Sequence, residues 1–518
     1  MSKSTYCARP RRSSEAKSRH RSQTQGEGRL VAALTRLWLT AALLSCCCGP
    51  AAADEADFLS AGPLYHEFYL TLTPGQRTEA VGPFFYKQQR ESEKIWAVPP
   101  LISYTTDEAA GLKELDILYP ILTYDRYGTQ YRWQFFQLLN LAGGPNQKAP
   151  NRERFTVFPI YFQQRSSDTN ENYTAVFPFY GHLKNRLFRE QIYFVAFPIY
   201  GQTVKHGVTT DNYLFPIFHL RHGRGVEGWQ VWPLVGHERR DVTTITNGFN
   251  DLVTVPGHES LFVLWPIFFD VHSGYGSTNL DWQQAVLPFY AFERSPQRDS
   301  TTVIWPFFTK IDDRNKKYKE WDAPWPFVEI ARGEGKTMTR FFPFFSQGHN
   351  DTFEDDFYMW PIYKYTRAKM NPLDRTRTRI LFFLYSNTED KNMETQKSAS
   401  RSYLFPFYLK KKDFNGNTRL QVVAPLEPFV PGSHKIERDY SPLWSVWLQE
   451  NNPNTGASSQ SLLWNTYRRD VTPGHKKVSL LFGLFQYQSG SEGNRVRLFY
   501  IPLGGRAATA KAQAQKIR

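Results

Sequence analysis

With 518 residues, the chain can form several ordinary domains or one large repetitive one. Aromatic residues make up 16% of it, yet mean hydropathy is only −0.51, and no run of about 18 apolar residues occurs, which excludes a bundle of membrane-spanning helices. The formal charge of +14 belongs to the ends: residues 1–53 hold nine Lys/Arg against two Asp/Glu, and residues 504–518 hold four Lys/Arg and no acid. Fifty basic and forty-seven acidic residues lie between, so the body of the chain has no net-charge signal for nucleic-acid binding.

Residues 1–53 read as a secretory signal peptide. A basic region precedes the apolar stretch Leu37 to Leu44, and small residues end in Ala51-Ala52-Ala53, placing cleavage after Ala53. The apolar stretch is too short for a span. Leu43-Leu44-Ser45-Cys46 also resembles a bacterial lipoprotein motif, which makes Cys46 a candidate lipidation site. Cys7, Cys46, Cys47 and Cys48 are the only cysteines. A chain cleaved after Ala53 therefore has no disulfide, thiol nucleophile or cysteine-ligated zinc.

Residues 54–154 form an irregular start to a repeat. Gly82-Pro83-Phe84-Phe85-Tyr86 and Tyr119-Pro120-Ile121-Leu122 are loose copies of a phrase that becomes strict later. One helix is predicted from Asp107 to Asp116, and a loop from Lys148 to Arg154.

Residues 155–503 carry the regular array. Its unit is aliphatic, aromatic, Pro, apolar, aromatic, as in Val176-Phe177-Pro178-Phe179-Tyr180. The prolines of the clear copies are Pro159, Pro178, Pro198, Pro216, Pro233, Pro266, Pro288, Pro306, Pro326, Pro343, Pro361 and Pro406. The first five are spaced by 19, 20, 18 and 17 residues. Connectors such as Ser166-Ser167-Asp168-Thr169-Asn170 and Asp312-Asp313-Arg314-Asn315 have turn compositions. An insertion from Asp241 to Glu259 breaks the rhythm once, and after Pro406 the array loosens. Residues 504–518 are predicted to form a basic disordered tail.

If the phrase lies mid-strand, each unit offers roughly 12–14 residues of strand, some 40 Å long. Alternation then puts −2, 0 and +2 on one face and −1 and +1 on the other, so both faces are apolar at mid-height. Proline cannot donate to a ladder, so each copy is predicted to mark a kink or bulge. The expected fold is all-β: an antiparallel up-and-down meander of about 22–24 strands in ~20-residue repeats, closed as a β-barrel.

Chemical motifs are weak. Gly223-Arg224-Gly225-Val226-Glu227-Gly228 matches a dinucleotide fingerprint by letter, but strand-like sequence follows where a helix is needed, so it reads as a hairpin turn. The run Glu354-Asp355-Asp356 and the pair Asp312-Asp313 read as solvated turns. His182, His219 and His237 recur with the repeat as strand-end residues. No catalytic residue, cofactor site or metal site is assigned.

The expectation is a non-enzymatic outer-membrane protein, a pore, transport conduit or structural envelope component. Membrane lipid is the expected partner, with a small solute or an envelope protein as further partners. The alternatives are a soluble periplasmic or surface β-repeat protein that binds partners, and an exported carbohydrate-active enzyme using a carboxylate pair.

Overall fold

The polar connectors and the proline phrases both fold as turns, and this sets the architecture. In the computed structural model, residues 62–503 are described, apart from 146–150, 247–250 and 492. Ala53, Cys46 and the basic tail lie outside the described residues. Forty-three strands join in one antiparallel sheet in which each strand pairs with the next along the chain. The single detour is the hairpin Thr243–Thr246 with Leu252–Val255, a separate two-stranded sheet inside the insertion. The ladder runs unbroken across residue 154, where Leu139–Gly143 pairs with Glu153–Val157.

The expected count of 22–24 strands is corrected to 43 in the main sheet, because the proline phrase is a hairpin and not the middle of a strand. Val176 pairs directly with Tyr180, and Phe177-Pro178-Phe179 is the loop between them. Each expected long strand is therefore two short ones. Strands of the main sheet have three to eight residues, and six residues span only about 20 Å. The predicted kinks are likewise replaced by chain reversals. A proline in a turn forfeits no ladder bond, so the conflict between proline and strand disappears.

The helix expected over Asp107 to Asp116 is also corrected. Ile102–Asp107 and Leu112–Ile117 are strands paired with each other, and Glu108 to Gly111 is the turn. Two short helices, α1 (His434–Asp439) and α2 (Ser441–Trp444), interrupt the array near its end. Ser433 caps α1 by accepting a hydrogen bond from the Ile436 amide.

Buried apolar clusters are small and local. The clearest joins Phe162, Tyr173, Ala175, Leu183 and Phe194 across neighbouring strands. Gly181 makes room for it, since a Cβ there would lie 2.4 Å from the Ala175 Cβ and 2.5 Å from the Phe194 ring.

The two ends of the meander meet through side chains. The Arg468 guanidinium lies 3.5 Å from the centre of the Phe68 ring, and Asn465 donates to Glu79. Trp464 packs edge-on against Phe84 at 5.4 Å. The largest contact is ionic. Arg438 of α1 pairs with Asp116, Glu114 and its neighbour Asp439, and donates to the Thr105 hydroxyl at 2.7 Å. Lys435 bridges Asp116 and Asp125 at 3.0 and 2.9 Å. Burial works against the charge of Arg438, but Asp439 and Asp116 hold its pKa above the usual arginine value. Removing one partner of such a buried network strands the others. Arg438→Met is expected to destabilise the fold by about 3–5 kcal/mol, read as a lowered urea midpoint. An unchanged midpoint would show that the ends are held by something else.

Candidate functional site

Because chain reversals alternate, one rim of the sheet collects every proline phrase and the other collects the polar turns. All twelve prolines named above lie in turns on the first rim, and each follows a cis peptide bond. The opposite rim carries turns such as Gly128-Thr129, His206-Gly207 and Arg224-Gly225, with Leu187-Phe188 as an apolar exception.

The proline turns come in two lengths. In the shorter form three residues are enclosed, as between Val176 and Tyr180. In the longer form four are enclosed, as between Val195 and Tyr200 or Tyr213 and Phe218. The fourth residue sits two before the proline and takes a left-handed backbone. Ala196 (φ 46), Leu214 (φ 49), Leu264 (φ 52), Ile304 (φ 52) and Met359 (φ 47) all do so. That conformation suits glycine and costs other residues about 1–2 kcal/mol. An apolar side chain is nonetheless kept at these sites, and Leu214, Leu264, Ile304 and Met359 are each about half exposed.

Neighbouring turns are hydrogen-bonded to one another. The Phe197 amide donates to the Pro178 carbonyl, and the Phe215 amide to the Pro198 carbonyl, both at 2.7 Å. Trp265 donates to Pro233, Trp305 to Pro288 and Trp360 to Pro343 in the same way, at 2.7–2.8 Å. Within each four-residue turn a further bond closes the loop, as from the Ile217 amide to the Leu214 carbonyl at 2.8 Å. Proline removes the one amide that this pattern would leave over. In the four-residue proline turns each backbone amide therefore has a backbone partner, while the carbonyl of the pre-proline residue, among the described residues, does not.

The aromatic residues before the prolines form a second ladder. Ring centres of Phe177 and Phe197 lie 5.4 Å apart, those of Phe197 and Phe215 5.5 Å, and those of Trp232 and Trp265 5.9 Å. Phe342, Trp360 and Phe382 continue it at 5.5 and 5.0 Å. The residue after each proline points into solvent: Phe179 is 71% exposed, Phe289 68% and Phe407 62%. The expected placement of these residues at mid-height of a strand is thus corrected, because a turn residue has no strand neighbour to cover it. Between the turns at Phe136 and Phe307, no Asp, Glu, Lys or Arg occurs in a proline-rim turn or in the two residues on either side. A row of Tyr or Phe follows directly, including Tyr161, Tyr180, Tyr200, Phe218, Phe268 and Tyr290.

The remaining candidates are placed as follows. Gly223 and Val226 pair across a hairpin, so the fingerprint match is a turn. Glu354-Asp355-Asp356 lies within the strand Phe353–Tyr358 and not in a turn, and Asp355 pairs with Lys364 at 2.7 Å. Asp312-Asp313 ends the strand Phe308–Asp313, where Asp313 accepts from the Lys316 amide. His182, His219 and His237 lie inside strands. They do not converge: His219 stacks on Phe215, and His237 contacts Glu259.

One carboxylate cluster was not visible in the sequence. Glu320, Asp322 and Glu329 bring oxygens within 4.8 Å of one another. Lys336 and Arg340 fill the cation role there: Lys336 bonds Glu320 at 2.6 Å and Glu329 at 2.8 Å, and Arg340 bonds Glu329 at 2.8 Å. Burial, then Glu320 and Glu329, raise the Asp322 pKa to about 6. The end-to-end ionic contact was also invisible, since its partners lie more than 300 residues apart. No family model and no curated protein matches this chain.

Two outcomes follow from this geometry. Replacing Ile304 by glycine relieves a β-branched left-handed residue whose side chain is largely exposed, so Ile304→Gly should raise stability by about 0.5–1 kcal/mol in urea unfolding. For Asp322, the folded pKa lies above the unfolded value, so its favourable term is complete below pH about 4 and is lost as pH rises through about 6. Urea midpoints of the wild type and Asp322→Asn at pH 4.5 and 7.5 should show this loss in the wild type alone.

Proposed function

We propose that the protein is a non-enzymatic component of an outer envelope membrane, a structural or conduit element whose sheet closes into a ring and whose proline-turn rim seats in lipid. The observation that carries this reading is the rim itself. Its side chains are apolar and exposed, while the backbone amides of its four-residue proline turns are all bonded within a turn or from turn to turn. Hydrocarbon demands both properties together, because an unsatisfied peptide group there costs several kcal/mol.

Three further observations support it. The uncharged band and the row of Tyr and Phe behind it match the chemistry of a membrane interface. Apolar residues are kept at left-handed positions where glycine would be cheaper, which points to selection for the surface and not for the fold. Strands of six or so residues fall short of the ~9–11 that a spanning strand needs, so the turns, and not the strand centres, are the parts that meet lipid. The opposite rim is polar and stays in water. Ring closure rests on the side-chain contacts of Phe68, Glu79 and Phe84 near the start of the sheet with Arg468, Asn465 and Trp464 near its end. Export and an outer-membrane address rest on the reading of residues 1–53.

Flotation with phosphatidylcholine vesicles tests the rim. The wild type should float with the vesicles. Ile199→Ser, Ile217→Ser and Leu234→Ser combined, in three adjacent turns, should weaken binding by more than about 100-fold, since each buried aliphatic side chain is worth ~1.5–3 kcal/mol. A wild-type protein that stays at the bottom of the gradient would sink the reading and favour a soluble repeat protein.

A further inference from the structure

Charge returns near the rim along one stretch of the sheet, and there it is unbalanced. The strand Leu373–Ile380 contains Arg375-Thr376-Arg377-Thr378-Arg379. Alternation puts its three arginines on one face. The ladder identifies what lies beside them. Arg379 is opposite Lys364 on one side and Ser386 on the other. Arg377 is opposite Thr366 and Thr388, and Thr388 is in turn opposite Arg401. Directly opposed residues share a face, so Arg377, Arg379, Arg401 and Lys364 stand together with the hydroxyls of Ser386 and Thr388 among them.

The acids of this face are already engaged. Asp390 takes both nitrogens of Arg375, at 2.5 and 3.0 Å. Asp355 takes Lys364 at 2.7 Å. Among the described residues, Arg377, Arg379 and Arg401 have no ion pair. Arg377 reaches only the Ser386 hydroxyl, at 3.4 Å, and Ser386 is fully buried. The Nε of Arg379 is buried without a partner. Burial, together with Arg377 and Arg375, holds Arg401 below the ordinary arginine pKa. Three half-buried guanidiniums side by side repel one another, and Tyr403 and Asp390 offset only part of that cost at Arg401.

Their height is informative. Only Ile380 separates Arg379 from the rim turn Leu381 to Leu384. Arg377 lies about 7 Å further from the rim. Apolar turns that enter the interface by ~5–10 Å would bring this face level with lipid phosphates. Guanidinium is suited to phosphate, since its planar fork can donate two parallel bonds.

We infer that Arg377, Arg379 and Arg401, with Thr388 between them, form a subsite for the phosphate of an anionic lipid headgroup, set directly above the proline-turn rim. This rests on the membrane-seated rim proposed above. The subsite orients the ring against one lipid chemistry, while the apolar arc from Phe136 to Phe307 supplies affinity without headgroup selectivity.

The test compares vesicles of phosphatidylcholine alone with vesicles containing phosphatidylglycerol, using the full chain. The wild type should prefer the anionic vesicles. Arg377→Gln, Arg379→Gln and Arg401→Gln combined should lose roughly 100-fold of that preference, at about fivefold per arginine, and keep wild-type binding to phosphatidylcholine. Lys316→Gln, Lys369→Gln and Lys391→Gln combined remove the same charge from exposed positions by polar turns and should leave the preference largely intact. Thermal unfolding of both variants confirms that they fold. Equal loss in the two triple variants would mean general charge attraction, and no loss in the arginine variant would mean no subsite. Either result overturns the inference. So would stabilisation by millimolar inorganic phosphate without any vesicle preference, which would make the site one for free phosphate. Failure of the wild type to bind phosphatidylcholine would instead defeat the rim reading.

Discussion

The hydrogen bond from the amide of each pre-proline residue to a carbonyl of the preceding turn is the interaction on which the rest depends. Phe197 to Pro178 and Phe215 to Pro198 are typical, at 2.7 Å. Hairpin turns at a sheet rim normally leave backbone groups to water. Here the ladder continues through the turns, so most rim amides are bonded to protein and not to water. The same bond brings successive aromatic rings to stacking distance, as in Phe177, Phe197 and Phe215. Without it, an exposed row of Phe, Trp and Ile would combine apolar side chains with thirsty backbone, a combination that neither water nor lipid accommodates.

A meander of 43 strands built this way is nearly one-dimensional. Each strand contacts its two neighbours, and apolar clusters such as Phe162, Tyr173 and Phe194 stay local. Stability is then a sum of similar hairpin terms, as in other repeat arrays. What the repeat cannot supply is contact between its ends. That comes from departures from the repeat: α1 with Arg438 and Lys435, and the acids Asp116, Glu114 and Asp125 near the start of the array. The residues that break the pattern are the ones that carry long-range order.

Charge follows the same division of labour. Near the proline rim, the arc from Phe136 to Phe307 holds no ionised residue, whereas the following arc holds Asp322, Glu329, Arg340, Lys364 and Arg379. Part of that charge is neutralised within the fold, through Lys336 and Arg340 on Glu329. Arg377, Arg379 and Arg401 are not. A sheet in which each unit could be identical has kept two different surfaces at one height. Uniform structural demands do not account for that difference.

The fold class, the repeat and the apolar character of one element per unit were legible in residues alone, because proline and aromatic spacing is local information. The alternation Arg375-Thr376-Arg377-Thr378-Arg379 is legible too, as a cationic strand face. Whether the five-residue apolar phrase is a strand centre or a hairpin was not legible. Both readings satisfy its composition, and only the direct pairing of Val176 with Tyr180 decides between them. That decision doubles the strand number, halves the strand length, and moves the residues beside each proline from mid-strand to the rim, where those after the proline are exposed and several before it, such as Phe177 and Phe197, are half-buried. Local sequence states which residues stay together along the chain. Which edge they occupy, and that Arg438 meets Asp116 across more than 300 residues, are properties of the register, which exists only once the sheet has formed.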